Sequence, residues 1–275
     1  MEHYRLSPAR IRRFRKLVYS YYRTHPRNLP WRKTRDPYKI LVSEIMLQQT
    51  QVDRVLKKYG CFLSRFPTLS SLAHASLAEV LSAWQGLGYN RRALSLHRCA
   101  REIRSRFGGT VPSDHADLDS LPGVGPSTAS GIMAFAFNIW SPFIETNIRT
   151  VYIHHFFPYA GEVEDKTLLP LVEQTVDRHN AREWFWALMD YGVYLKKTQP
   201  NPARRSAHHS RQGRFEGSDR QIRGEIIRRL VKEKRLSTGG LWTKLQVTPE
   251  RGKKILRGMI KDGLVRLRSG YLRIY

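Results

Sequence analysis

The chain has 275 residues, 41% of them hydrophobic and 26% charged, enough apolar content for one large domain or two to three smaller ones. Lys plus Arg number 48 and Asp plus Glu 23, a formal net charge of +25, so a polyanion is the expected partner: nucleic acid first, an anionic membrane surface second. Two cysteines, Cys61 and Cys99, exclude a disulfide framework and any Cys-only metal or iron–sulfur site. No apolar run reaches the roughly 18–20 residues of a membrane span. The basic stretch from Met1 to Leu17 lacks an apolar h-region, so a cytoplasmic protein (nucleoid-associated in a prokaryote) is expected.

In chain order, residues 7–200 read as helical. Ser7–Tyr22 opens on Ser7 as N-cap with Pro8 at the first helical position. Asn28–Pro37 reads as an extended connector, and Tyr38–Phe62 as a long helical pattern in one or two pieces. Ser76–Trp84 is a short helix, Gly86-Leu87-Gly88 a turn, and Arg91–Phe107 a helix ended by Gly108-Gly109. Asp117–Ser120, Ser127–Phe137, Asn147–Phe156, Leu168–His179 and Glu183–Lys196 follow as helices. Lys196–Arg214 holds Lys196, Lys197, Arg204, Arg205, Arg211 and Arg214 with no acid, which fits a solvated tether or an arm touching phosphate. Gln221–Lys234, Thr238–Leu245 and Thr248–Asp262 are then helices, and Leu264–Arg268 and Tyr271–Tyr275 flank Ser269-Gly270 as a hairpin. Three helices and a ribbon outline a winged helix, whose third helix carries Arg251, Lys253, Lys254, Arg257 and Lys261; such modules bind DNA or dock proteins.

One motif bears on DNA directly. Leu121-Pro122-Gly123-Val124-Gly125-Pro126-Ser127-Thr128-Ala129 matches the helix-hairpin-helix pattern. Its glycines permit a tight turn and close backbone approach, and the next helix offers unpaired N–H groups and its positive dipole end to a phosphate. Such a contact positions the protein without reading sequence. The alternative is a helix–helix turn inside a core.

Together with that hairpin, Leu29-Pro30-Trp31-Arg32, Asp36-Pro37-Tyr38, the run from Val42 through Ser43-Glu44-Ile45-Met46-Leu47-Gln48-Gln49-Thr50-Gln51 to Val52, and Gly86-Leu87-Gly88-Tyr89 occur in a telling order. Over roughly residues 5–195 the chain resembles the helix-hairpin-helix DNA glycosylases, and within them the MutY adenine glycosylase branch. The resemblance implies an all-α, two-lobed fold with DNA bound across the cleft, plus the small winged-helix-like (α+β) module. One lobe would span 29–136 with the hairpin; the second would join 1–28 to 137–215; the module would be 216–275.

The chemistry so implied is hydrolysis of the N-glycosidic bond of a base flipped from mispaired or damaged duplex DNA, in base excision repair. Glu44 would protonate the leaving adenine and help activate water; a carboxyl half-buried on an apolar helix can serve as such an acid. Glu145 stands where the family has Asp, keeping the charge that stabilises a cationic sugar but moving it one methylene, and a shift near 1 Å can cost about a hundredfold in rate. Aspartate also caps a helix better. Glu145 is therefore either a working variant or the mark of a changed reaction. Ser127 takes the place of the lysine of bifunctional relatives and cannot form a Schiff base, so a monofunctional enzyme is expected.

Gln48 and Tyr89 match positions that enter the duplex, although Tyr89 also fits a core aromatic beside a turn. Gln49, Leu121, Gly123, Val124, Gly125, Thr128 and Arg149 complete the expected DNA contacts; Trp31 and Arg32 either line the base pocket or, for Trp31, simply pack. Two departures are plain. Met189-Asp190-Tyr191-Gly192 is followed by no cysteine, so the iron–sulfur cluster of many relatives is not expected, and the tail is too short to be the 8-oxoguanine-reading domain of MutY. No cofactor is expected, with room only for a monovalent cation at the hairpin. His154-His155 and His208-His209 lack companions for a metal site, and Cys61 and Cys99 read as buried thiols. Arg91, Arg92, Arg98, Arg101 and Arg104 form either a phosphate stripe or a solvated face. The partner expected is mismatched or lesioned duplex DNA met by a monomer, with a protein partner also open to the module. Two rival readings remain at this level: a thymine or uracil excisor opposite guanine, and a non-catalytic lesion binder.

Overall fold

A computed structural model describes residues 5–208 and 213–275, so His209 and Arg211 lie outside the described residues. Ser7 caps α1 (Pro8–Thr24), accepting from the Arg10 N–H at 3.3 Å, with Pro8 at its start. The connector holds a 3-10 turn at Pro30–Arg32 before α2 (Pro37–Leu47). The long apolar pattern divides after α2, where Gln49 turns left-handed at φ 52°, and resumes in α3 (Val52–Arg65). A six-residue helix is too short to display a period, and α4 (Leu69–His74) adds to the expected elements; it and α5 (Leu77–Ala83) both open on capping boxes. Next come α6 (Asn90–Arg106), α7 (His115–Asp119) and α8 (Pro126–Ile132), the last running into a π-type turn at Met133–Phe137. α9 (Thr146–Phe156), α10 (Asp165–Thr175) and α11 (Ala181–Thr198) complete the helical part. The tail contains α12 (Asp219–Glu233), β1 (Leu236–Ser237), α13 (Leu241–Lys244), α14 (Pro249–Lys261), β2 (Val265–Arg268) and β3 (Tyr271–Ile274).

These elements gather into two compact units, one of residues 1–41, 113–120 and 124–211, the other of 42–112, 121–123 and 212–275. The first unit is all helix. Phe14 of α1 meets Tyr152 and Phe156 of α9 and Trp184 of α11, with ring centroids 5.1–5.9 Å apart. Arginines close its helix C-termini: Arg15 donates to the Thr175 carbonyl at 2.8 Å and to that of Val176, and Arg182 to Phe135 (2.7 Å) and Ala136 (2.9 Å).

The basic arm proves different from a solvated tether as far as residue 208. Pro202, Ala203 and Ser206 are buried, and a second 3-10 turn (Pro202–Arg205) packs against α9. Arg205 Nη1 donates to the Phe157, Pro158 and Ala160 carbonyls at 2.6, 2.9 and 3.0 Å, and Val163 bridges to the arm through the Arg205 carbonyl at 2.8 Å. The reason is tertiary: Arg205 meets the orphan carbonyls past the end of α9, 48 residues earlier at Phe157, which composition alone does not reveal.

The second unit buries Val55, Tyr59 and Phe62 of α3, Val80 and Leu81 of α5, Leu96, Cys99 and Ile103 of α6, and Trp84, whose ring lies 5.9 Å from that of Phe62. Cys99 is buried, which pushes its thiol up to about 12. Cys61 is exposed, correcting the expectation, because it lies off the inward stripe of Val55, Tyr59 and Phe62. The tail folds as three helices and an antiparallel sheet in the order β1-β3-β2, with Leu236 opposite Leu272 and Val265 opposite Ile274. The two-residue β1 joins the expected ribbon as a third strand. Ile226 and Ile227 of α12, Met259 of α14, Val265 and Leu272 form its core.

Candidate functional site

In the second unit, Glu44 is the half-buried polar group of an otherwise buried segment: Ile40, Leu41, Val42, Ser43, Ile45 and Met46 surround it in sequence and are all buried. Asp36 steadies the helix start, accepting from the Tyr38 N–H at 2.9 Å. Arg92 closes the other end. Its Nη1 donates to the carbonyls of Ile45 (2.9 Å), Met46 (2.8 Å) and Gln48 (2.6 Å), and its Nη2 to Thr50 Oγ1 (2.7 Å). A cation on the last carbonyls of a helix satisfies orphan acceptors and opposes the dipole. Burial lowers Arg92 to about 10, a shift that still leaves it charged near neutrality. Arg92 is thus neither a phosphate contact nor a solvated residue; Arg91, Arg98, Arg101 and Arg104 are exposed.

The same guanidinium lies over the rings of Trp84 (5.4 Å) and Tyr89 (5.5 Å). Tyr89 is half-buried and left-handed, φ 47° and ψ 56°, at the N-cap of α6. Gln48 Nε2 donates to the Gly123 carbonyl at 2.9 Å, and Gln49 is exposed. The structure therefore brings Glu44's helix end, Gln48, Tyr89 and the first hairpin glycine to one network. Gly123 has φ +82°, and a Cβ there would stand 2.6 Å from the Ser95 Cβ, so both conformation and space demand glycine.

Leu121 and Val124 are buried and anchor the two arms of the hairpin. Gly125, with open space at its Cα, precedes Pro126 at the first position of α8 and receives no side-chain cap. In the first turn of that helix Pro126 has no N–H, and the Ala129 N–H donates to the Gly125 carbonyl at 2.9 Å. Ser127 in that turn is exposed and Thr128 half-buried.

Glu145 belongs to the first unit, at the N-cap of α9. Its Oε1 accepts from the Asn147 and Ile148 N–H groups at 2.7 and 2.9 Å, and Oε2 accepts from Asn147 Nδ2 at 3.0 Å. Lys196 Nζ donates to Asn147 Oδ1 at 2.8 Å; burial lowers the lysine's pKa, and the Glu145 charge opposes that shift. Gly192 makes this arrangement feasible, because a Cβ on α11 would come within 2.8 Å of the Asn147 Cβ. The glutamate caps its helix through its longer side chain, so the extra methylene is taken up locally.

Other expected residues are engaged elsewhere in the first unit. Arg149 pairs with Asp165 through two hydrogen bonds of 2.7 and 2.6 Å. Arg32 Nη1 and Nη2 sit on the buried Asp190 at 2.7 and 2.8 Å, Arg27 shares that carboxylate, and Trp31 is buried. His155 Nε2 lies 2.9 Å from the Tyr191 hydroxyl. Among the described residues, no group of three or more His, Cys, Asp or Glu is placed to hold a metal ion. The sequence offered Arg92 and Lys196 only as surface cations, not as the partners of the α2 carbonyls and of Asn147. Arg92 had a signal: it continues the apolar stripe of Leu96, Cys99 and Ile103 on α6, where a cation needs a partner.

Residues 42–200 match the family described as the HhH-GPD superfamily base excision DNA repair protein, more than half of the chain. The chain belongs to the HhH-GPD superfamily. Relatives in it include proteins named adenine DNA glycosylase: that of Mycobacterium tuberculosis is 37% identical over 228 residues, covering 75% of this chain and 74% of that protein. The human protein of that name is 39% identical over 199 residues, 67% of this chain and 36% of its own. The Buchnera aphidicola relative from Baizongia pistaciae is 35% identical over 173 residues, 62% of this chain and 48% of its own. The chain spans about half the length of the Buchnera relatives, 48% to 55%. A solved thermostable thymine-DNA glycosylase superposes with a TM-score of 0.62 at 26% identity, covering 70% of this chain and 90% of that one. The HhH-GPD match contains Glu44, Gln48, Tyr89, the hairpin and Glu145, and it ends before the tail.

Proposed function

We propose that this HhH-GPD protein is a monofunctional DNA glycosylase that hydrolyses the N-glycosidic bond of adenine, or of a deaminated purine, flipped out of mispaired duplex. The observation that carries this reading is the 37% identity over 228 residues to a protein named adenine DNA glycosylase. In the proposed reaction the bond from C1′ to the base nitrogen breaks, and its electron pair leaves with the base, which takes a proton from Glu44. Water adds to C1′ and returns a proton to the Glu44 carboxylate. Glu145 supplies negative charge for the cationic sugar, in an orientation fixed by α9. Ser127 has no amine to trap the sugar, so strand cleavage does not follow.

Gln48 and Tyr89 enter the duplex in this reading, while the backbone at Gly123, Val124, Gly125 and Thr128 holds a phosphate. Exposed Lys253, Lys254, Arg257 and Lys261 on α14 add phosphate contacts from the tail. Glu44→Gln tests the acid. Single-turnover base release should fall by at least about a hundredfold with duplex affinity within about twofold of wild type. Unchanged release would remove Glu44 from the reaction. A second reading, thymine or uracil release opposite guanine, is favoured by the fit to the thymine-DNA glycosylase structure and differs in which duplex yields product.

A further inference from the structure

The C-terminal module reaches back to the residue expected to enter the duplex. Both belong to the second compact unit. Arg220, in the first turn of α12, donates from Nη1 to the Tyr89 hydroxyl, and its guanidinium lies over the Tyr89 ring at 5.2 Å. Its Nη2 donates to the Gly213 carbonyl at 2.7 Å, so the planar head is held at both ends. Tyr89 thus carries two guanidiniums on its ring, Arg92 from its own helix and Arg220 from the tail.

The seat of the module supports the contact. α12 packs against α5, and Asp262 at the end of α14 accepts from Arg223 of α12 and pairs with Arg91 at 3.4 Å. Arg223 lies one turn beyond Arg220, and Arg91 two residues beyond Tyr89, so one face of α12 meets the start of α6. Arg91 is exposed and its 3.4 Å pair with the half-buried Asp262 contributes little by itself. The Arg220 contact is different in kind: it reaches a tyrosine in left-handed backbone, a conformation that a non-glycine residue keeps only where its surroundings hold it.

We propose that Arg220 is a positioning residue for Tyr89, through which the module sets the side chain that enters the duplex and thereby sharpens selection of mispaired over paired DNA. The proposal rests on the reading that Tyr89 enters the duplex. Removing Arg220 frees the hydroxyl and takes away one of the two cations over the ring, letting the ring sample orientations that enter no base stack. A phosphate contact would instead raise affinity for all duplexes alike.

The test uses the full chain and its Arg220→Ala, Arg220→Lys, Tyr89→Ala and double variants. The readouts are Kd for an A:G duplex and for its A:T counterpart, with thermal unfolding as a fold control. Arg220→Ala should reduce the paired-to-mispaired Kd ratio by about tenfold, and Arg220→Lys should restore little of it, since an ammonium lacks the planar head. In the Tyr89→Ala background, Arg220→Ala should leave the ratio unchanged. Equal loss of affinity for both duplexes, full rescue by lysine, or additive effects of the two alanines would each overturn the proposal. So would a wild-type protein that binds both duplexes equally. Base release by that same wild type would leave the glycosylase reading standing, whereas the expected Kd cycle without any base release would remove the glycosylase and leave the positioning of Tyr89 by Arg220.

Discussion

Glu145 shows how one residue can combine two duties that mutation separates. Its carboxylate caps α9, and the proposed reaction has the same carboxylate supply charge to the sugar. Glu145→Gln keeps an acceptor for both backbone N–H groups but removes the charge. It should cost about 1 kcal/mol or less in stability while base release falls about a hundredfold. Glu145→Ala should lose the cap as well, about 1 kcal/mol or more by denaturant unfolding. Equal release by Glu145→Gln and wild type would show that the charge is idle. The position of Glu145 was legible by counting from the hairpin; its rotamer was not, because an N-cap bond depends on backbone angles two and three residues on. Arg32 and Arg149 were legible as chemistry-bearing residues, but not their anchoring on Asp190 and Asp165, which lie 158 and 16 residues away in sequence.

At the scale of elements, caps and breakers made most helices readable. Ser7 with Pro8, and Ser76 with Glu79, start α1 and α5 where expected. What escaped was brevity, as in α4 and β1, and the arginine closures of α2, α9 and α10, which require carbonyls distant in sequence. The packing of α9 on α11 also predicts a pH dependence. Burial foremost, then the neighbouring His154, lowers His155 from 6.5 to about 4. The unfolded chain therefore binds more protons between those values, and stability present above pH 6.5 is lost as pH falls toward 4, by up to about 3 kcal/mol. His155→Gln should flatten this part of the stability–pH curve in urea titrations. A variant curve parallel to wild type would place the acid sensitivity elsewhere.

At the scale of the whole molecule, the surplus of +25 pointed to a polyanion but did not show where it would sit. Several arginines serve the fold: Arg15, Arg92, Arg182 and Arg205 close helix ends and contribute no free positive face. Lys253, Lys254, Arg257 and Lys261 of α14 are exposed, and the proposed function gives them to DNA. Replacing Lys253, Lys254 and Arg257 with alanine should weaken duplex binding and reduce the slope of log affinity against log salt by about two to three, since each phosphate left unneutralised keeps its counterions. An unchanged slope would assign that face to something other than DNA. The winged-helix outline was readable from three helices and a ribbon, whereas the seating of the module beside Tyr89 was not, since it depends on Arg220 and Asp262 meeting residues more than a hundred positions earlier.

The most direct measurement is single-turnover base release from A:G, A:8-oxoguanine, hypoxanthine, U:G and T:G duplexes, each read with and without an alkali step. Adenine or hypoxanthine should be released, and the release should appear as a strand break only after alkali. Strand breaks without alkali would contradict the monofunctional reading, and release confined to U:G or T:G would contradict the choice of base. No release from any duplex, with tight mismatch binding retained, would make Glu145 the mark of a lost reaction.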